Sequence, residues 1–491
     1  MSTQTAAGGA RSGLDSYEQV QLYIDGEWTD GSGSRRQDIV NPATADILGA
    51  VPFAEAADLD RALAAADRGF GLWRDLPVDE RTTILHRAAD LIRARAGAIG
   101  TTMTLEQGKP LAEARGEVVR VAKLLDWDAE EARREYGRII PMDPDTELTV
   151  THEPIGPVAA FTPWNFPAGS PMRKIAAALS AGCSIVIKAS EEAPGTACAL
   201  VRCFEEAGVP AGVLNLVFGV PAEVSERLIA SPITRLVAFT GSIPVGKQLA
   251  GLAAQVMKPT LMELGGHAPV IVCEDADPEQ AAVRTAASKF VNAGQVCTSP
   301  SRIIVHERLH DRFVDALVRA AESVKVGDGL EEGVRMGPLA NDRRLAAVKA
   351  FVSDAVSRGA SAACGGEALD REGWFYAPTV LTNVPLDARV MHEEPFGPIA
   401  PVVSFTELSD ALDLANSLPY GLAAYGFTES AATAAELKRG LEAGILSINH
   451  CGGSVPEAPS GGVKESGHGK EGGSEGLEAY LVTKRISHRL R

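Results

Sequence analysis

Between Val158 and Val272 short apolar runs alternate with amphipathic stretches, and that alternation leaves few folds open. Residues 157–161, 184–188, 213–218, 236–239 and 270–272 are compact apolar runs bounded by turn residues. Between them, residues 171–179, 194–207, 222–229 and 245–254 carry helical spacing. Parallel strands need a crossover between them, so this order predicts an α/β fold with a parallel sheet covered on both faces. A second alternating set runs from Pro278 to about Leu446, with the change placed at Gly265 and Gly266. Upstream, residues 21–28 read as strand, turn and strand about Asp25-Gly26. Helices are expected over 55–73, 79–99 and 111–132. The glycine-rich run 452–476 reads as loop, and 477–483 as a last strand. A chain of 491 residues, 45% hydrophobic, has material for about three structural units.

The net charge of −17 argues against a phosphate-backbone partner, which needs a basic face. Seven cysteines without paired spacing do not form a disulfide framework, and they fit a reducing, cytoplasmic setting. Residues 1–16 are small and polar, a mobile tail with no apolar segment of a signal peptide. The longest nearly apolar run, 175–187, is short of a membrane span. Three motif matches fail on context. His306 and His310 match the zinc-peptidase spacing, but His306 ends a strand and no third ligand follows; a solvated turn fits better. Gly467, Gly469 and Gly472 spell a dinucleotide fingerprint with too little chain left for a βαβ unit. Ser474 sits in a nucleophile-elbow pattern with no room for its partners.

Chemistry concentrates elsewhere. Cys297 lies in a small-residue loop between a helical segment and the strand expected at 302–305. Such a loop can expose a thiol and favour its thiolate; a buried, inert cysteine is the plainer alternative. Glu263 ends an apolar run and precedes two glycines, and burial would raise its pKa toward that of a general base. The alternative is a carboxylate capping a helix or binding a backbone amide. Asn165 stands between Pro163 and Pro167 at a strand's carboxyl end, where a fixed amide can donate to an oxyanion or close an Asx turn.

Five motifs then occur in one order: Pro163-Trp164-Asn165-Phe166-Pro167, Phe239-Thr240-Gly241-Ser242, Glu263-Leu264-Gly265-Gly266, Gly294-Gln295-Val296-Cys297 and Glu394-Pro395-Phe396-Gly397-Pro398. The series resembles the NAD(P)-dependent aldehyde dehydrogenase superfamily over nearly the whole chain. The resemblance implies two Rossmann-type parallel-sheet domains and a small β oligomerisation flap. It places the NAD-binding domain at 17–131 and 152–264, the catalytic domain at 265–450 and the flap at 132–151 and 476–491. It implies Cys297 as nucleophile, Glu263 as general base, and Asn165 with the Cys297 N–H as oxyanion donors. Cofactor contacts are implied at Trp164, Lys188, Glu191, Gly219, Gly241, Ser242, Glu394 and Phe396, with no metal. Lys188 and Glu191 suit ribose hydroxyls, and the carboxylate disfavours a 2′-phosphate, so NAD is expected ahead of NADP. Ser242 opens a helix whose N–H groups suit a pyrophosphate.

Motif spelling is closest to the succinate-semialdehyde dehydrogenase branch, through Thr104 to Pro110 and Gly461 to Gly467. Arg173 matches the position where that branch holds the substrate's far carboxylate, and a guanidinium suits that partner. Two departures are Val291, where the branch often has a second arginine, and Ser460, where many relatives have phenylalanine; both alter the pocket. The expected substrate is therefore succinate semialdehyde, with α-ketoglutarate semialdehyde or a neutral aldehyde as alternatives. A homodimer or homotetramer is expected. Competing readings from other classes are a non-catalytic nucleotide-binding protein and a zinc hydrolase.

Overall fold

The strand Val158–Phe161 is the pivot of the first sheet. It pairs in parallel with Leu236–Gly241 on one side and Ile185–Lys188 on the other. The full order is Gly467–His468, Thr260–Leu264, Leu236–Gly241, Val158–Phe161, Ile185–Lys188, Leu214–Val217, Leu22–Ile24, Glu27–Thr29. The five central strands are parallel and run 3-2-1-4-5 in spatial arrangement about that pivot. Chain direction across the sheet reverses beside Val158–Phe161, which opens a crevice at the strands' carboxyl ends where ligands of such sheets bind. Helices Gly169–Ala181, Pro194–Ala207, Pro221–Ala230 and Ile243–Gln255 supply the crossovers.

The computed structural model describes residues 17–490, so the tail assigned to 1–16 lies outside the described residues. A second sheet of seven strands runs Ser361–Cys364, Thr379–Thr382, Ile399–Phe405, Pro300–His306, Ala268–Val272, Ala423–Phe427, Ile445–Ile448. Each sheet has its own apolar core; one holds buried residues up to Leu264 with Leu477 and Tyr480, the other those from Ala268 onward. A three-stranded sheet, Leu481–Arg489, Thr146–Pro154 and Arg138–Ile140, stands apart. Among the described residues no helix is long and apolar enough to cross a membrane.

Several expectations shift. The helix expected at 79–99 is two, Val78–Ala94 and Ala96–Gln107, because Arg95 (φ −98°, ψ 7°) breaks the turn. The strand expected at 477–483 starts only at Leu481; Leu477 and Tyr480 turn inward in a 3₁₀ segment, Glu475–Tyr480, to reach the first core. The glycine-rich run is not wholly loop, since Gly467–His468 pairs antiparallel with Thr260–Leu264. His306 closes a strand while His310 opens the helix His310–Glu322, so no single helix carries both. His306 is buried edge-on against Phe405 rather than solvated.

Candidate active site

The two sheets meet where the chain crosses between them. Thr260–Leu264 delivers Glu263 at the carboxyl edge of the first sheet, and after Gly265, Gly266 and His267 the strand Ala268–Val272 opens the second. Ala268 is paired with Pro300, three residues beyond Cys297, so this crossing sets the cysteine loop beside Glu263. The approach is close: a β-carbon on Gly266 would stand 3.2 Å from the Cys297 carbonyl oxygen and 2.8 Å from Leu422. Ile399–Phe405 flanks Pro300–His306 on its other side, which brings Glu394 and Phe396 to the same edge. Phe396 meets Trp164 edge to face at 5.6 Å.

The cysteine loop is strained and heavily tied. Asn292 (φ 50°), Ala293 (φ 53°) and Gly294 (φ 71°) are all left-handed, which costs L-residues energy and persists only where neighbours over-determine it. Gln107 donates to Asn292 Oδ1 (2.8 Å), and Glu113 accepts from the Asn292 N–H (3.0 Å). Asn292 Nδ2 donates to the Asn165 carbonyl (2.9 Å) and Asn165 Nδ2 donates to the Gln295 carbonyl (3.1 Å). The Asn165 amide therefore closes no Asx turn; it reaches across to the loop two residues before Cys297. Lys109 Nζ also holds the Asn165 carbonyl (2.9 Å), sits 4.4 Å from the Phe166 ring centre and pairs with Glu117 (2.5 Å). Glu117 in turn accepts from the N–H groups of Ala168 (3.0 Å) and Gly169 (2.8 Å) at the start of the next helix. Sequence reasoning passes over Gln107, Lys109, Glu113, Glu117 and Asn292. Their signal is polar residues in buried surroundings, which a sequence does not display.

Cys297 is half-buried. Burial, then the carboxylates of Glu394 and Glu263, push its thiol up to about 12. That reverses the thiolate expected from the loop, because burial and the two acids outweigh the opposing pull of Arg173. Glu263 lies inside its strand, buried, with Oε1 meeting no hydrogen-bond partner, so it neither caps a helix nor binds an amide by that oxygen. Burial, then Glu471, raises its pKa to about 8. Glu394 is pushed up to about 7 by burial against the pull of the Gly266 N–H, Arg344 and Lys289. Lys289, fully buried and donating to Ser299 (3.3 Å), is lowered to about 7 by burial. Beyond Glu263, Glu471 ion-pairs with buried Lys174, which also donates to Thr240 (2.7 Å). Arg173 donates to Ser454 Oγ (2.7 Å) and lies 3.8 Å from Glu471.

A thiol and a carboxyl that act on one another, with an amide bonded two residues before the thiol, suit attack on a carbonyl, and comparison with known proteins agrees. The model of the aldehyde dehydrogenase family matches residues 28–486. The chain belongs to that family. It is an NAD(P)-dependent oxidoreductase that oxidises aldehydes. It is 48% identical over 469 residues to 4-(hydroxymethyl)benzenesulfonate dehydrogenase TsaD1 of Comamonas testosteroni, covering 95% of this chain and 98% of that one. It is 43% identical over 465 residues to succinate-semialdehyde dehydrogenase [NADP(+)] GabD of Escherichia coli, covering 94% and 96%. The solved succinate-semialdehyde dehydrogenase of Burkholderia pseudomallei superposes with a TM-score of 0.94 at 41% identity, covering 99% of this chain and 100% of that one.

This aldehyde dehydrogenase has a cradle that fits a dinucleotide. Ser242, at the N-cap of Ile243–Gln255, makes no side-chain cap bond, and the first turn carries no acidic residue, so the helix start is free to meet an anion. Gly241 precedes it at the switch point of the sheet. Lys188 and Glu191 pair at 2.6 Å, and Glu191 also accepts from the Gly219 N–H (3.1 Å), so three residues singled out in the sequence converge.

Proposed function

We propose that the enzyme oxidises an aldehyde whose far end carries an anion, succinate semialdehyde being the first candidate. The observation that carries this reading is the Arg173 guanidinium, 23% exposed, directed at Ser454 and Glu471 on the side of the crevice where Glu263 lies. A helix start is an unfavourable place for a cation, and Arg173 shares the single carboxylate of Glu471 with Lys174, which leaves positive charge for an anionic ligand. A sulfonated aromatic aldehyde is the second reading. It rests on the likeness to TsaD1 and on Val291 and Ser460, each smaller than the arginine or phenylalanine expected at its place.

In this reading the Cys297 sulfur attacks the carbonyl carbon while its proton passes to the Glu263 carboxylate. The Asn165 amide and the Cys297 N–H donate to the oxygen as it gains charge. Bound nicotinamide supplies the hydride acceptor. Cys297 is then acylated, Glu263 gives up the thiol's proton to solvent, and the same carboxylate takes a proton from the water that attacks the acyl carbon. The acid leaves as that proton returns to sulfur, which restores the thiol. Trp164, Glu394 and Phe396 line the nicotinamide end, and Lys188, Glu191, Gly219, Gly241 and Ser242 the rest of the dinucleotide. Glu191 favours NAD over NADP. The exposed edge of Leu481–Arg489, with Val482 and Ile486 on show, supports pairing with a second copy, because a bare edge strand is a liability.

The test is a panel of aldehydes with and without a distal carboxylate or sulfonate, followed by reduced-nicotinamide absorbance with each cofactor. Arg173→Ala should raise KM for the anionic aldehydes by about tenfold or more and barely move it for neutral ones. Equal losses for both would make Arg173 structural. Equal rates with NAD and NADP would remove the role given to Glu191.

A further inference from the structure

On the last turn of Leu111–Glu131, Asp128 is 1% exposed and its Oδ1 meets no hydrogen-bond partner. Its neighbour Trp127 donates to the Gly473 carbonyl (3.1 Å), which fastens this turn to the chain just after Glu471. A β-carbon on Gly472 would stand 3.7 Å from Arg173 Nη1, so helix, loop and guanidinium share one junction. A buried, unsatisfied carboxyl is costly, and nothing in the acyl-transfer chemistry uses this one. The charged and titratable groups facing it are Arg173 from the adjoining helix, Glu471 from the loop, Glu131 from its own helix and Tyr480 from the inward turn. The Tyr480 hydroxyl is likewise buried without a partner.

We propose that Asp128 is a second specificity residue of this site: it sets how much positive charge Arg173 offers to the far end of an aldehyde. The inference rests on the anionic-substrate reading above. Lys174 and Arg173 share the one carboxylate of Glu471, two cations to one anion, so a net positive charge remains on the Arg173 side. Among the described residues no ion pair joins Asp128 to it, so the two act through space rather than by contact. Burial holds Asp128 up to about 8, opposed by Arg173 and reinforced by Glu471 and Glu131. Below that pH the carboxyl is neutral and Arg173 faces the substrate as a net cation. Above it the carboxylate cancels that charge, and a carboxylate or sulfonate loses its counter-ion while a neutral aldehyde does not.

The experiment uses the full-length enzyme at saturating nicotinamide cofactor and measures kcat/KM for succinate semialdehyde and for butanal from pH 6.5 to 9.5. The readout is the ratio of the two. Titration of Glu263 as a base acts on both substrates, and its charge, which also reaches Arg173, is common to wild type and Asp128→Asn, so the difference between the two enzymes isolates Asp128; the substrate's own carboxyl ionises near ~4.3, outside the range. The wild-type ratio should fall about tenfold between pH 7 and 9.5, the size of one charge at close range in a partly screened site. In Asp128→Asn the fall should be several-fold smaller than in the wild type, and the difference should lie in KM rather than kcat. A ratio that falls equally in Asp128→Asn, or that does not fall in the wild type, overturns the proposal. Should the variant not fold, Asp128→Ser takes its place: a smaller fall than in the wild type supports the proposal and an equal fall overturns it. Arg173→Ala separates the two layers. If it leaves the neutral-pH ratio untouched, the anionic-substrate reading has failed and this one with it; if it collapses that ratio while Asp128→Asn changes no pH profile, only Asp128's role fails.

Discussion

Replacing Glu117 by glutamine keeps the shape of the side chain and deletes one charge. In the native protein Lys109 and Glu117 are 1% and 2% exposed, 2.5 Å apart, and each has a second task. Lys109 holds the Asn165 carbonyl and Glu117 holds the first N–H groups of the helix that bears Arg173 and Lys174. Glutamine's carbonyl can still accept from those N–H groups, so the main loss is the counter-ion of a buried ammonium. Breaking a buried pair by one partner costs about 3–5 kcal/mol. In a domain of this size each kcal/mol moves the melting temperature by about 2–4 °C, so a fall of roughly 6–20 °C is expected. The double variant Lys109→Met, Glu117→Leu removes both charges and should lose much less than the two singles added together. Activity provides a second reading, because the amide donor is fixed through the same carbonyl. A displacement of about 1 Å there would cost on the order of 100-fold in kcat. Thermal scans at fixed rate and initial rates at about 20 °C make both measurements. A Glu117→Gln enzyme melting within about 2 °C of wild type, or a double variant losing the sum of the singles, would refute the reasoning.

The base role proposed for Glu263 requires its ionised form, and burial holds its pKa at about 8, above neutrality, so kcat should climb as pH rises through that value. Glu263→Gln should abolish that limb, and an unchanged profile would assign it to another group. Gly294→Ala places a β-carbon 2.1 Å from the Gly397 carbonyl at a left-handed φ of 71°, forcing apart the loops that carry Cys297 and Phe396. Activity should fall by about 100-fold or more, with slower iodoacetamide labelling of Cys297. Wild-type labelling and turnover in that variant would show that the interlock is dispensable.

The sheet scaffold is legible in the sequence because its strands are short, apolar and separated by helical spacing, a pattern set by local chemistry. Helix ends defined by prolines or glycines, as at Pro194 and Gly208, can be read to the residue. The differences arise where tertiary contact overrides local pattern. Leu477 and Tyr480 look like strand residues, yet the first core claims them before the last strand begins. Gly467–His468 looks like loop and becomes a strand only because the bare edge of Thr260–Leu264 is there to pair with it. The motifs name Cys297, Glu263 and Asn165; Lys109 stands in the Thr104 to Pro110 stretch with nothing to mark it as buried, and Asp128 looks like the solvated face of an amphipathic helix.

Electrostatics shows why those silent residues matter. Two carboxyls and an amine, Glu263 at about 8, Glu394 at about 7 and Lys289 at about 7, are drawn toward one narrow pH range. Burial alone accounts for the direction of each: it raises acids and lowers amines. The thiol, an acid weaker to begin with, is carried to about 12 by the same walls. Cys297 and Glu263 therefore stand far apart as acids, and the proton cannot leave the sulfur ahead of reaction in any quantity. It must leave as the new carbon–sulfur bond forms, when charge passes from sulfur to the carbonyl oxygen. In the proposed mechanism the Asn165 amide then counts twice, since stabilising that oxygen also makes the thiol proton available to Glu263. Anything that slackens the hold of Lys109 on Asn165 should thus slow thiol attack as well as weaken the oxyanion site.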